Sequence, residues 1–128
     1  MNTVKLRFNG IANWSVRFLE EHQLNNPAQW RKFVNVYRSQ PDSENAGWRG
    51  EYWGKMMLGG ALIFAYSNSQ MLYDVLTETV EDMLTVAEDD GRVSTYKHCA
   101  ELDAWDLWCR KYVLLAWNII LKSAVMKG

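Results

Sequence analysis

The sequence predicts an all-α domain built of antiparallel helical hairpins. Three observations carry that expectation: apolar residues recur at three- and four-residue intervals over most of the chain, strand-like alternation is scarce, and proline occurs only at Pro27 and Pro41. A chain of 128 residues is one domain at most, with a single core expected.

Each element follows in order. Ile11, Trp14, Phe18 and Leu19 make a helical stripe, so a first helix is expected from Ile11 to Gln23. In "NNPAQW", Asn26 can cap and Pro27 suits the first helical position, which opens a second helix through Tyr37 with Trp30, Phe33, Val34 and Tyr37 on its apolar side. Residues 38–50, "RSQPDSENAGWRG", are polar, rich in turn formers and aperiodic, and predict a loop. "EYWGKMMLGGALIFAY", Glu51 to Tyr66, predicts a third helix that is apolar on most faces and therefore buried. Its Gly54, Gly59 and Gly60 would each cost up to about 1 kcal/mol in a helix interior, which points to close approach of neighbouring helices.

"SNS" makes the next turn, and Ser69 is expected to cap a fourth helix reaching Ala87, with Leu72, Val75, Leu76, Thr79, Val80, Met83 and Leu84 on one stripe. So short a turn makes the third and fourth helices an antiparallel hairpin. Asp90-Gly91 marks a turn, "RVSTY" an extended piece, and Asp103 the N-cap of a last helix. The stretch "YVLLAWNIILKSAVM" in that helix is apolar nearly all round, interrupted by Asn118, Lys122 and Ser123. It is too short and too interrupted for a membrane span of about 20 residues. A helix apolar on all sides requires neighbours on all sides, so either a homo-oligomer covers it or the chain, residues 1–128, is an incomplete N-terminal portion of a larger helical domain.

Composition narrows the partners. Lys and Arg number 14 against 15 Asp and Glu, which leaves no basic excess for nucleic acid or an anionic membrane. The opening "MNTVKLRFNGIANWSVRFLE" contains no uninterrupted apolar block of the secretory type, so a cytoplasmic location and reduced Cys99 and Cys109 are expected. Seven Trp and six Tyr either fill a core or line a surface for sugars and other flat apolar faces.

No complete catalytic constellation is present. Glu101, Asp103 and Asp106 can be read as paired carboxylates for glycoside hydrolysis, or as an N-cap and a first-turn acid at a helix start. His98, Cys99 and Cys109 lack the close pairing of a zinc thiolate site. Trp48, Trp53, Trp105 and Trp108 fit a core or a cleft. There is neither a Gly-rich phosphate loop after a strand nor a nucleophile elbow.

Four stretches carry a resemblance: "GWRGEYWGK" (47–55), "LYDVLTETVEDML" (72–84), "DGRVSTY" (90–96) and "WDLWCRKYVLLA" (105–116). In this order and spacing they resemble the early helices of the β-L-arabinofuranosidase-type glycoside hydrolases, family 127 and its relatives, over Ala46 to Ala116. The resemblance implies the first part of an (α/α)6 toroid of six helical hairpins. It also implies a retaining mechanism in which a zinc-held cysteine thiolate attacks the anomeric carbon and a glutamic acid protonates the leaving oxygen. Those residues lie downstream of the matched stretches, so no catalytic residue, no metal ligand and no cofactor is expected in this chain, and zinc belongs to the missing part. What carries over is one wall of a carbohydrate cleft, with Trp48, Tyr96, Trp105 and Asp106 as the candidate sugar-binding residues. Trp105 stands where a histidine often precedes the acid in that family. Competing expectations are a self-contained helical module that forms a homo-oligomer and an isolated sugar-binding module.

Overall fold

The computed structural model describes residues 7–43 and 47–125, with side chains up to residue 122. Ala46, where the family resemblance begins, the Ser123 side chain and Met126 lie outside the described residues. The fold is all-helical: α1 (Gly10–Leu19), a wider π turn (Glu20–Leu24), α2 (Pro27–Ser39), α3 (Glu51–Ser67), α4 (Gln70–Leu84), a 3-10 turn (His98–Ala100) and α5 (Asp106–Val125). Among the described residues the only β-type pairing is an isolated parallel bridge between Asp42 and Tyr96. None of the helices there is long and apolar enough to cross a membrane.

α3 is the hub, packing against α2, α4, α5 and the π turn. Its Trp53 and Met57 are fully buried among Val34 and Tyr37 of α2, Leu72 and Met83 of α4, and Val113 and Ala116 of α5. Full burial of one such side chain stabilises by about 1.5–3 kcal/mol. The polar atoms that go inside with the rings find partners: the Trp53 indole donates to Thr79 Oγ1 at 3.0 Å, and the Trp30 indole to the Leu24 carbonyl at 2.7 Å.

The expected caps form at two helices. Asn26 Oδ1 accepts from the Gln29 N–H, and Ser69 Oγ from the Leu72 N–H. Three expectations need correction. The Ile11, Trp14, Phe18 stripe of α1 faces outward, with Ile11 81% exposed and Trp14 stacked on Phe18 at 5.2 Å. α1 is instead tied down at its start, where the Tyr66 hydroxyl donates to Asn13 Oδ1 and accepts from the Phe8 N–H. Leu84 is also exposed, because the buried register of α4 runs Leu72, Leu76, Thr79, Met83 and continues to Val86 beyond the helix end. Finally, α5 begins at Asp106, and Asp103 is an exposed loop residue; it is the Asp106 carboxylate that binds a loop N–H, that of Leu102 at 2.9 Å.

The three glycines of α3 do different things. A Cβ on Gly54 would sit 2.4 Å from the Tyr112 carbonyl oxygen of α5, and one on Gly60 would sit 2.9 Å from a Leu76 methyl of α4. Close approach is therefore real at both. At Gly59 a Cβ would meet open space, so the expectation of close packing fails there.

Candidate functional site

The stretch from Arg92 to Tyr96 is buried at every position although it belongs to no helix, so its polar groups must be satisfied by partners elsewhere. It folds back onto the loop after α2. The Asp42 N–H donates to the Thr95 carbonyl at 3.1 Å, and Thr95 Oγ1 donates to Asp42 Oδ2 at 2.7 Å. Arg49 closes over the same carboxylate at 2.5 Å. Arg92 runs beneath the stretch, bound to Glu88 at 2.6 Å and donating to the Tyr96 carbonyl at 2.6 Å.

Two buried side chains then tie the start of α5 to this knot. Ser94 Oγ donates to Asp106 Oδ1 at 2.5 Å while accepting from the Tyr96 N–H at 3.0 Å. The Tyr96 hydroxyl donates to the Gly47 carbonyl at 2.7 Å and accepts from the Trp105 N–H at 3.3 Å. Gly47 is required by that contact, since a Cβ there would overlap the Tyr96 hydroxyl oxygen, 1.4 Å away. From α2, the Tyr37 hydroxyl donates to the Gly50 carbonyl, and its burial pushes its pKa up.

The four candidate sugar-binding residues are thus joined through one hydrogen-bonded loop pair, but at two depths. Trp48 and Trp105 present their rings, at 50% and 49% exposure, whereas Tyr96 and Asp106 are both at 0%. The expectation that Asp106 stands ready to accept hydroxyls from a ligand meets a carboxylate already occupied by Ser94, the Leu102 N–H and a two-pronged Arg110, whose Nε and Nη2 lie at 3.0 and 2.7 Å. Burial pushes the Asp106 carboxyl up, but the bonds from Arg110, Ser94 and Leu102 outweigh it and leave it below the usual value. Arg110 also binds Glu101 at 2.7 Å and is the first cause of the lowering of that carboxyl. Both acids are therefore ionised partners of one arginine, and neither has the raised carboxyl of a general acid.

Around the exposed Trp105 runs a ridge in which Trp108 is joined by Tyr112, a ring that the sequence pattern did not single out. Trp105, Trp108 and Tyr112 pack edge to face, with centroids 6.0 and 5.4 Å apart. Lys111 Nζ lies 3.4 Å above the Trp108 ring centre, and the Trp108 indole donates to Glu51 Oε2 of α3 at 2.5 Å. Trp105 and Trp108 three residues apart, and Tyr112 four beyond, was the available signal for this face. The Trp48 indole donates to the Tyr52 hydroxyl at 3.1 Å, and these two side chains form one wall of a groove of about 340 Å³ against α2.

Cys99 is exposed, and Cys109 is buried with its sulfur 3.5 Å from the Gly47 carbonyl. Burial, reinforced by the Asp42 charge, pushes the Cys109 thiol up to about 12. Among the described residues no group of three or more His, Cys, Asp or Glu is placed to hold a metal ion. Trp53 is core rather than cleft, in contrast to Trp48, Trp105 and Trp108. Comparison with known proteins identifies no matching family model, no curated relative and no matching solved structure.

Proposed function

We propose that this chain supplies one wall of a sugar-binding cleft in a glycoside-hydrolase-like helical toroid of the β-L-arabinofuranosidase type, and does not itself cleave sugar. The observation that carries the reading is the Tyr96 hydroxyl, which bonds the Gly47 carbonyl and the Trp105 N–H together. That single group links three of the four motif stretches on which the resemblance rests and holds two half-exposed indoles beside the link. Exposed rings suit the C–H faces of sugars, and rings fixed by a buried network lose little freedom on binding. On this reading Trp48 and Trp105 touch ligand, while Tyr96 and Asp106 position them from beneath.

Affinity electrophoresis in gels carrying arabinan or arabinoxylan tests this. Retardation of the chain, reduced by Trp48→Ala and by Trp105→Ala, is the expected result; equal mobility with and without every polysaccharide overturns the reading. Cleavage is a separate test: the zinc-held thiolate and glutamic acid of the similar family are assigned to another part of the toroid, so the pure chain should release nothing from an aryl arabinofuranoside with or without added zinc.

A second reading, a helical module that forms a homo-oligomer, is favoured by Leu107, Leu114, Leu115 and Leu121, all exposed along α5. A discrete dimer mass in solution with no retardation on any polysaccharide would select it.

A further inference from the structure

We infer that the groove between α2 and the start of α3 takes an acidic sugar, seating the ring on Trp48 and Tyr52 and the carboxylate on Lys32. This deepens the sugar-binding reading and rests on it. The groove measures about 340 Å³, near the lower end of the sizes at which small-molecule clefts occur, and is suited to a monosaccharide unit. Three rings line it: Phe33 of α2 with its centroid 6.1 Å from that of Tyr52, and Trp48, 50% exposed. Such walls accept the C–H face of a pyranose. The Trp48 indole already donates to the Tyr52 hydroxyl at 3.1 Å, which leaves the tyrosine proton available to donate to a ring hydroxyl. Gln29, also in the lining, offers an amide that can both donate and accept.

The charges decide the class. Lys32 and Arg49 line the groove, and no Asp or Glu does among the described residues. Arg49 shares its charge with the buried Asp42 at 2.5 Å, which fixes the guanidinium in place and dilutes its pull on a ligand. Discrimination between an acidic and a neutral sugar therefore falls to Lys32, an exposed side chain one helical turn from Gln29 on α2. A neutral sugar would use the rings and hydroxyl donors alone; a uronate adds a charge-assisted bond.

The experiment is an NMR titration of the 128-residue chain with glucuronate, glucose and benzoate, following the indole N–H signals of Trp48 and Trp105. Glucuronate should shift the Trp48 signal and saturate at about tenfold lower concentration than glucose, the gain of one charge-assisted bond. Lys32→Ala, an exposed substitution, should remove that preference and leave glucose binding unchanged. Equal response of Trp48 to both sugars, indifferent to Lys32→Ala, overturns the acid preference while the sugar reading stands. Response of Trp48 to benzoate and to neither sugar overturns the inference in favour of an aromatic anion. Neutral sugars that shift Trp105 and leave Trp48 unmoved also overturn it, while sparing the cleft-wall reading. Silence of both signals toward all three ligands overturns the inference, while the cleft-wall reading falls only if the arabinan and arabinoxylan gels also show no retardation.

Discussion

Asp106 shows how a residue can sit where a binding role is expected and be used instead to hold the site together. Its carboxylate accepts from Ser94, from the Leu102 N–H and from both prongs of Arg110, and it is fully buried. Asp106→Asn would set an amide N–H₂ against donors on at least one side, costing about 2–3 kcal/mol, the worth of hydrogen bonds to a charged group. That is well above the about 1 kcal/mol of a mere first-turn acid interacting with the helix dipole. Thermal melts of the two chains at neutral pH check it. The pH dependence follows from the same bonds: the carboxyl is lowered in the fold below its value in an unfolded chain, about 3.9. Its contribution is present in full above that value and is lost as pH falls through the folded value. The native chain should thus lose melting temperature below about pH 4, and Asp106→Asn should lose less over the same range. The backbone nearby is held as tightly: Leu102 and Ala104 have φ of 69° and 40°, and the bonds from Leu102 N–H to Asp106 and from Trp105 N–H to Tyr96 keep this strained turn in place.

At the scale of elements, α3 separates two meanings of helix glycine that its sequence run presents alike. Gly54→Ala would push a methyl into the α5 backbone at Tyr112, and backbone cannot give way as a side-chain tip can. It should destabilise by about 1–3 kcal/mol through overpacking. Gly59→Ala meets nothing and should stabilise by about 0.5–1 kcal/mol through helix propensity and a less free unfolded chain. Denaturant midpoints of the two variants should move in opposite directions; an unchanged or raised midpoint for Gly54→Ala would show that the α3 to α5 approach is not as close as described. The same contrast explains what the sequence could reveal. The stripes of α2 and α4 and the caps at Asn26 and Ser69 were legible because period and capping chemistry are local. Burial of residues 92–96 was not, because it arises from partners far away in the chain, Asp42 and Gly47 among them. The outward stripe of α1 misleads for a related reason: an amphipathic pattern says that a face is apolar, and not whether a neighbour covers it. At the site, the rings of Trp48 and Trp105 were legible as candidates, while the depth of Tyr96 and Asp106 depended on the same distant partners.

For the molecule as a whole, the hydrophobic core is centred on one face of α3, and apolar surface is left over on α5. Leu107, Leu114, Leu115 and Leu121 follow one another along that helix, with Leu114 62% exposed. An apolar row of this kind is available to a partner, and covering it would recover part of the about 1.5–3 kcal/mol that full burial of a leucine is worth. Two occupants are in question, a second copy or further helices of a toroid, and they leave different signatures. A second copy must meet the face through a symmetric, saturable contact, so the chain would run as a dimer whose mass falls to the monomer on Leu114→Lys. Helices of a larger domain would leave the face bare in the isolated chain, which should then bind a hydrophobic dye and associate without fixed stoichiometry. Leu114→Lys with Leu121→Lys should in that case raise solubility and reduce dye binding while helix content is unchanged, since both positions point to water. The toroid reading expects the second pattern. Light scattering after size exclusion, with dye binding on the same fractions, separates the two; a clean monomer that binds no dye would sink both, because it would mean that the leucines of α5 are covered from within.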